Sequence, residues 1–138
     1  MATLHLQILT PRKAVVDDNV KAVVVPSSEG ELTILPSHTK FVTMLKEGII
    51  AIKKDSAEDF LAIGGGYLET DGKELKILVS KAYRQDEIDE DQTKKALEEA
   101  KKIMSEKRDE DSREAAVATM RRSVVDLKLL RKRRKHTL

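Results

Sequence analysis

The sequence predicts an α+β protein: an N-terminal antiparallel β-sandwich or barrel over residues 1–84, followed by a C-terminal two-helix antiparallel hairpin over residues 85–138. Three observations predict it. As far as about residue 82, apolar residues recur with period two in short runs separated by turn residues, the pattern of half-buried strands. Beyond residue 88 the apolar and small residues move to helical offsets. The charge also separates along the chain: residues 1–85 hold eleven acids and eleven bases, residues 86–111 eleven acids and six bases, and residues 112–138 two acids and nine bases. A neutral body therefore carries an acidic segment and then a basic one, although the formal net charge is only +2.

The strands follow in order. Leu4, Leu6 and Ile8 alternate with His5 and Gln7, and Pro11 ends the run. Val20-Lys21-Ala22-Val23-Val24-Val25 is a second run, stopped by Pro26 and two serines. Further runs lie at residues 32–35, 41–45, 49–52, 60–63, 67–70 and 75–79. Lys46-Glu47-Gly48, Lys53-Lys54-Asp55-Ser56, Gly64-Gly65-Gly66 and Asp71-Gly72 punctuate them, and Asp71-Gly72 is the strongest local hairpin signal. Many short strands without an intervening helical pattern argue for a sandwich or barrel.

The helices come next. Ala96, Leu97, Ala100, Ile103 and Met104 share one face of a helix within residues 88–104, with Asp89 as its N-cap and acids in its first turn. Residues 105–112 are almost wholly charged and read as the connection. Asp111 with Glu114 reads as a capping box for a second helix, which displays Val117, Met120, Val124 and Leu127 on one face, while Ala115, Ala116 and Ala118 keep its start slim. Alanine-rich facing surfaces allow close approach but bury little area, so the hairpin is expected to be weakly held.

The segment Ser28-Glu29-Gly30-Glu31-Leu32-Thr33-Ile34-Leu35-Pro36-Ser37-His38 carries the densest chemistry. Gly30 admits a positive φ and Pro36 fixes φ, so Glu29, Glu31 and His38 are expected to project from a stiffened edge. The ordinary alternative is a surface hairpin with solvated charges.

Composition excludes several function classes. Apolar residues make up 40% of the chain, charged residues 36% and aromatics 3%, which allows a modest core of Val, Ile, Leu and Ala. With no cysteine there is neither a disulfide nor a thiolate metal site. His5, His38 and His136 are scattered and no nucleophile–base pair or metal-ligand spacing is visible, so neither an enzyme nor a metal site is expected. Gly64-Gly65-Gly66 is followed by neither Lys-Ser/Thr nor a helical pattern, which argues against a phosphate loop and for close backbone packing. No apolar run approaches the roughly 18 residues of a membrane span, and no signal peptide is apparent at the N-terminus. The basic C-terminal segment supports one rival class, binding to nucleic acid or an anionic surface; against it stand the absence of stacking aromatics there and the neutral body.

Five stretches in the same order resemble the epsilon subunit of rotary F-type ATP synthases of the bacterial type. They are Leu6-Gln7-Ile8-Leu9-Thr10-Pro11, Glu29-Gly30-Glu31 with Ile34-Leu35-Pro36-Ser37-His38, Leu45-Lys46-Glu47-Gly48, Gly65-Gly66-Tyr67-Leu68-Glu69, and Ile88-Asp89. The resemblance implies a non-catalytic rotor part of a proton-translocating ATP synthase, at the cytoplasmic face of a bacterial plasma membrane. Its partners would be the gamma subunit, the c-ring and the alpha/beta catalytic hexamer, with no nucleic acid. It implies c-ring and gamma docking by Glu29, Gly30, Glu31, Pro36 and His38, and inhibition of ATP hydrolysis by a mobile hairpin whose Arg113, Arg121, Arg122 and Lys128 face a catalytic subunit. Some family members bind ATP on the hairpin through an Ile/Leu-Asp-x-x-Arg-Ala motif. Here Gln92 and Thr93 replace its arginine and alanine, which argues against ATP binding; no cofactor is expected, and the alternative of ATP on the hairpin rests on Ile88, Asp89 and Arg122.

Overall fold

A computed structural model describes residues 2–37, 40–132, 135 and 136. The chain divides into two compact units, residues 1–83 with 133–138, and residues 84–132.

The first unit is a near-closed β-sandwich. Its strands are β1 (Leu4–Leu9), β2 (Ala14–Val20), β3 (Ala22–Ser27), β4 (Gly30–Ile34), β5 (Phe41–Leu45), β6 (Gly48–Lys53), β7 (Ala57–Ile63), β8 (Gly66–Thr70), β9 (Glu74–Val79), β10 (Ala82–Tyr83) and β11 (Lys135–His136). They hydrogen-bond in the order β10-β7-β6-β3-β5-β8-β9-β1-β2, with β4 on β3 and β11 on β7. Alternation places Leu4, Leu6 and Ile8 of β1, Ile50 and Ile52 of β6, and Leu75, Ile77 and Val79 of β9 in one core. Leu4, Leu6, Ile8 and Ile77 are fully buried. At roughly 25 cal/mol per Å² of apolar surface, this aliphatic core rather than aromatic packing stabilises the unit.

Two features differ from the sequence expectation. The run at residues 20–25 is not one strand: β2 ends at Val20, β3 begins at Ala22, and β3 continues through Pro26 to Ser27. Asp17, Asp18 and Asn19 hid β2, because as an edge strand it carries polar residues that leave little alternation and discourage pairing with a further chain. The sheet is also not purely antiparallel, since β1 pairs parallel with β9, from His5 beside Glu74 to Leu9 beside Leu78.

The turns follow the sequence signals. At the β8–β9 hairpin the Asp71 carboxylate accepts the amides of Lys73 and Glu74, at 2.9 and 2.8 Å, which holds its pKa below the usual range. The glycine triplet brings backbones together: a Cβ on Gly66 would stand 2.0 Å from the Leu78 carbonyl oxygen.

On the outer side of β1, the His5 ring sits between two carboxylates, with Nε2 2.6 Å from Asp17 Oδ1 and Nδ1 2.7 Å from Glu74 Oε2. The side chain thus joins β2, β1 and β9. The hydrogen bond to Asp17 first, and that to Glu74 second, raise the His5 pKa above its ordinary value of 6.5. The same bond to His5, with Gln7 behind it, lowers that of Asp17.

The second unit is a helical hairpin opened by a 3₁₀ turn (Gln85–Glu87), with α1 (Glu90–Ser105) and α2 (Glu110–Arg131). Asp89 is the N-cap of α1, its Oδ1 accepting the Gln92 amide at 3.0 Å. The capping box expected at Asp111 lies inside α2, which starts earlier. Its N-cap is Asp109, whose carboxylate binds the Ser112 hydroxyl at 2.6 Å rather than a backbone amide. The packing face differs too. Ala116, Ser123, Asp126 and Leu129 are buried while Val124 is 44% exposed. Only Ala100 of α1 is buried, so close approach of small side chains, rather than aliphatic bulk, selects the contact.

Two outcomes follow. Gly66→Ala forces β8 away from Leu78 and should lose about 2–3 kcal/mol in urea unfolding, in the range of overpacking substitutions. His5→Gln removes an ion-pair partner whose folded pKa is raised, so the stabilisation is complete below pH 6.5 and fades as pH rises through the folded value. The Tm gap between wild type and His5→Gln should therefore be larger at pH 6 than at pH 9. An equal gap at both would remove the charged stitch.

Candidate functional site

The acidic tip is the β3–β4 hairpin. Ser27 pairs with Gly30 and Pro26 with Glu31, leaving Ser28 and Glu29 as a two-residue turn. Gly30 has φ +124°, a value that an L side chain rarely adopts, and this explains a glycine between the two glutamates. The Ser27 hydroxyl donates to the Gly30 carbonyl at 2.5 Å and accepts the Glu29 amide at 3.3 Å. Glu29 and Glu31 are exposed on this braced turn. The tip is also tied sideways, the Ser28 amide donating to the Met44 carbonyl at 3.1 Å and the Lys46 amide to that of Pro26 at 2.9 Å.

Pro36 lies at the opposite end of β4, about 16 Å away at 3.3 Å per residue. The half-buried Pro36 leads into Ser37, which has φ +69° and donates its amide to Gly72 at 2.8 Å, so this corner belongs to the β8–β9 turn. The structure thus separates Glu29, Gly30 and Glu31 from Pro36. His38 lies outside the described residues.

Beside the acidic tip lies a surface that sequence reasoning missed. β5 presents Val42 and Met44 outward, 67% and 61% exposed, and Tyr67 of β8 is 39% exposed. Met44 is in register with Tyr67, Tyr67 with Leu78, and Leu78 with Leu9, making an apolar row across four strands. The next row holds Val42, Glu69, Lys76 and Gln7. Because Ser28 is bonded to Met44, the apolar row and the carboxylates of the tip form one continuous surface. The signal was in Phe41-Val42-Thr43-Met44-Leu45: a strand with one wet face should be polar at alternate positions, yet Val42 and Met44 occupy them.

In the helical unit the four basic candidates divide. Arg113 Nη1 donates to the Met104 carbonyl at 3.2 Å and so caps the end of α1. At 100° per residue, Arg121 and Lys128 share one side of α2 with Val117 and the exposed Val124, whereas Arg122 points to another side. Arg122 lines a groove between the helices with Glu99, Arg108, Ser112 and Thr119. Ile88 and Asp89 are not among the residues lining that groove, and Asp89 is engaged as the N-cap.

Among the described residues no group of three His, Asp or Glu side chains is arranged to hold a metal ion. His5 cannot gather its two carboxylates around one ion, because they lie on opposite ring nitrogens. What the arrangement offers is a docking surface: a rigid acidic turn contiguous with exposed apolar side chains.

Residues 3–85 match the family model described as ATP synthase, Delta/Epsilon chain, beta-sandwich domain. The ATP synthase epsilon chain of Dehalococcoides mccartyi is 36% identical over 137 residues, 99% of this chain and 98% of that one. That of Moorella thermoacetica is 33% identical over 129 residues, 93% of this chain and 96% of that one. Among solved structures, a chain in the Euglena gracilis mitochondrial ATP synthase, a cryo-EM structure of OSCP, F1 and c-ring, superposes with a TM-score of 0.81 at 25% identity, covering 93% of this chain and 81% of that one. With the family model matched over residues 3–85 and relatives aligned over nearly its whole length, this chain belongs to the ATP synthase epsilon chain family.

Proposed function

We propose that the protein is a non-catalytic central-stalk subunit that couples rotation of a c-ring to ATP synthesis, and that its helical hairpin restrains ATP hydrolysis. The observation that carries the docking half is the exposed row of Val42, Met44 and Tyr67 beside the braced Glu29-Gly30-Glu31 turn. Apolar residues this exposed on a sheet are the usual mark of a protein partner. The partners in this reading are the gamma subunit along the apolar row and the c-ring at the acidic tip. The family resemblance and the F1 and c-ring context of the Euglena neighbour both support it. The subunit is peripheral, on the cytoplasmic side of a bacterial membrane; no helix among the described residues is long and apolar enough to cross one.

The regulatory half rests on the hairpin. Its helices meet through small residues, which makes their separation cheap, and α2 displays Arg121 and Lys128 around Val117 and Val124. That basic and apolar side suits an acidic segment of the catalytic hexamer, and its attraction weakens with salt. ATP is not part of this reading, since Gln92 and Thr93 stand where the family's arginine and alanine would and Asp89 is engaged as the helix cap.

Met44→Asp places a charge in the apolar row and should weaken co-assembly with the gamma subunit by about 30-fold, as loss of an interface hot spot does, without unfolding the β-unit. Unchanged co-purification would remove the row from the interface. Truncation after residue 87 should leave assembly intact and raise ATP hydrolysis by the reconstituted complex, with or without prior exposure to ATP. If the truncated complex hydrolyses ATP no faster than the full-length one, the hairpin is not inhibitory.

A further inference from the structure

One side chain ties the two ends of the helical unit together. Gln85 opens the 3₁₀ turn ahead of α1, and its Nε2 donates to the Leu129 carbonyl at 2.6 Å and to the Lys132 carbonyl, across sequence separations of 44 and 47 residues. The Leu129 carbonyl lies in the last turn of α2 and also accepts the Lys132 amide at 3.1 Å, and Lys132 is the residue that caps the helix, so Gln85 binds the point where α2 ends. A primary amide has two N–H donors on one nitrogen, so a single glutamine can serve two acceptors. The basic side chains of that last turn, Lys128 and Arg131, are exposed. The α2 end is nevertheless a buried place: Leu129 is 0% exposed and Asp126 9%.

Elsewhere the helices are held mainly by contacts between small side chains. Ala100 is the one buried residue of α1 and lines a groove with Ala116 of α2, and Ser123 is a further small buried residue of α2. Such contacts are numerous but shallow, and each contributes little area. The Gln85 bonds are different: directional, local, and broken together if α2 moves away from the start of α1.

We propose that Gln85 is the latch of the hairpin, its amide clamping the C-terminal turn of α2 to the turn that precedes α1, so that separation of the helices begins with release of this side chain. The latch rests on the reading of the hairpin as a mobile inhibitory element and gives it a specific release point. Because the bonds are neutral, the latch does not respond to pH or salt as an ion pair would; it opens when a competing acceptor draws the amide or when α2 is pulled. The basic side of α2, with Arg121 and Lys128, is the part on which an acidic partner would pull.

The test is hydrogen exchange of the full-length chain with Gln85→Met, which keeps the volume but removes both donors. Gln92→Met, at an exposed position of α1, is the control. The expected result is roughly tenfold faster exchange in residues 124–132, the scale set by one or two lost hydrogen bonds, with β1–β9 protected as in wild type. Wild-type exchange in residues 124–132 overturns the latch, and so does faster exchange throughout both units, which is general destabilisation. Hydrolysis by the reconstituted complex separates the two ideas. Faster local exchange with lower hydrolysis supports both, because an opened hairpin reaches its inhibitory position more readily. Faster local exchange with unchanged hydrolysis upholds the latch and overturns the inhibitory role.

Discussion

Everything that the β-unit presents outward depends on β3 serving two sets of partners at once. Through Val23 and Val24 it pairs with both β4 and β6, and at Ser27 with Leu45 of β5. Its inward residues Val23 and Val25 are fully buried, so the strand cannot slip by one residue without turning two valines out of the core. That register fixes the Ser28–Glu29 turn beside Met44, and thereby the contiguity of the acidic tip with the apolar row. The docking surface is a consequence of core packing rather than of the loop's own preferences.

The helical unit follows a different logic. A hairpin built on Ala100, Ala116 and Ser123 gains little from burial, and its helices carry charges on most of the remaining surface. The ion pairs within α1, Lys94 with Glu90 at 3.3 Å and Lys101 with Glu98 at 3.6 Å, are exposed and add little. Its specificity therefore comes from its ends: the Asp89 cap, the Arg113 bond to Met104, and the Gln85 bonds to the end of α2. Closed by contacts at its ends, such a unit can separate its helices while each keeps its own backbone hydrogen bonds. A larger aliphatic interface would not allow this at low cost.

How much of this was legible in the sequence depended on whether the cause was local. The Asp89 cap, the Asp71-Gly72 turn and the glycine at residue 30 were readable because each solves a backbone problem within a few residues. The glycine triplet was readable as close packing, although its partner at Leu78 was not. The β1–β9 pairing arises from contacts made far along the chain, and no period reveals it; the division of β2 from β3 was hidden by the polar Asp17-Asp18-Asn19 of the edge strand. The acidic tip and Pro36 look like one site in sequence because only eight residues span Glu29 to Pro36, yet an extended strand of five residues carries them to opposite ends of β4.

The charge segregation along the chain acquires a physical meaning from the helices. Acids at the start of α1 and bases at the end of α2 each sit where the helix dipole favours them, Glu90 and Asp91 in the first turn of α1, Lys128 and Arg131 in the last turn of α2. In an antiparallel hairpin those two ends are neighbours, so the same pattern that stabilises each helix also draws the acidic and basic ends together. The attraction is long-ranged and screened, whereas the Gln85 amide bonds are short-ranged and neutral. One brings the ends of the hairpin together and the other sets their register. An acidic partner competes directly with the first, and reaches the second only by displacing α2 itself.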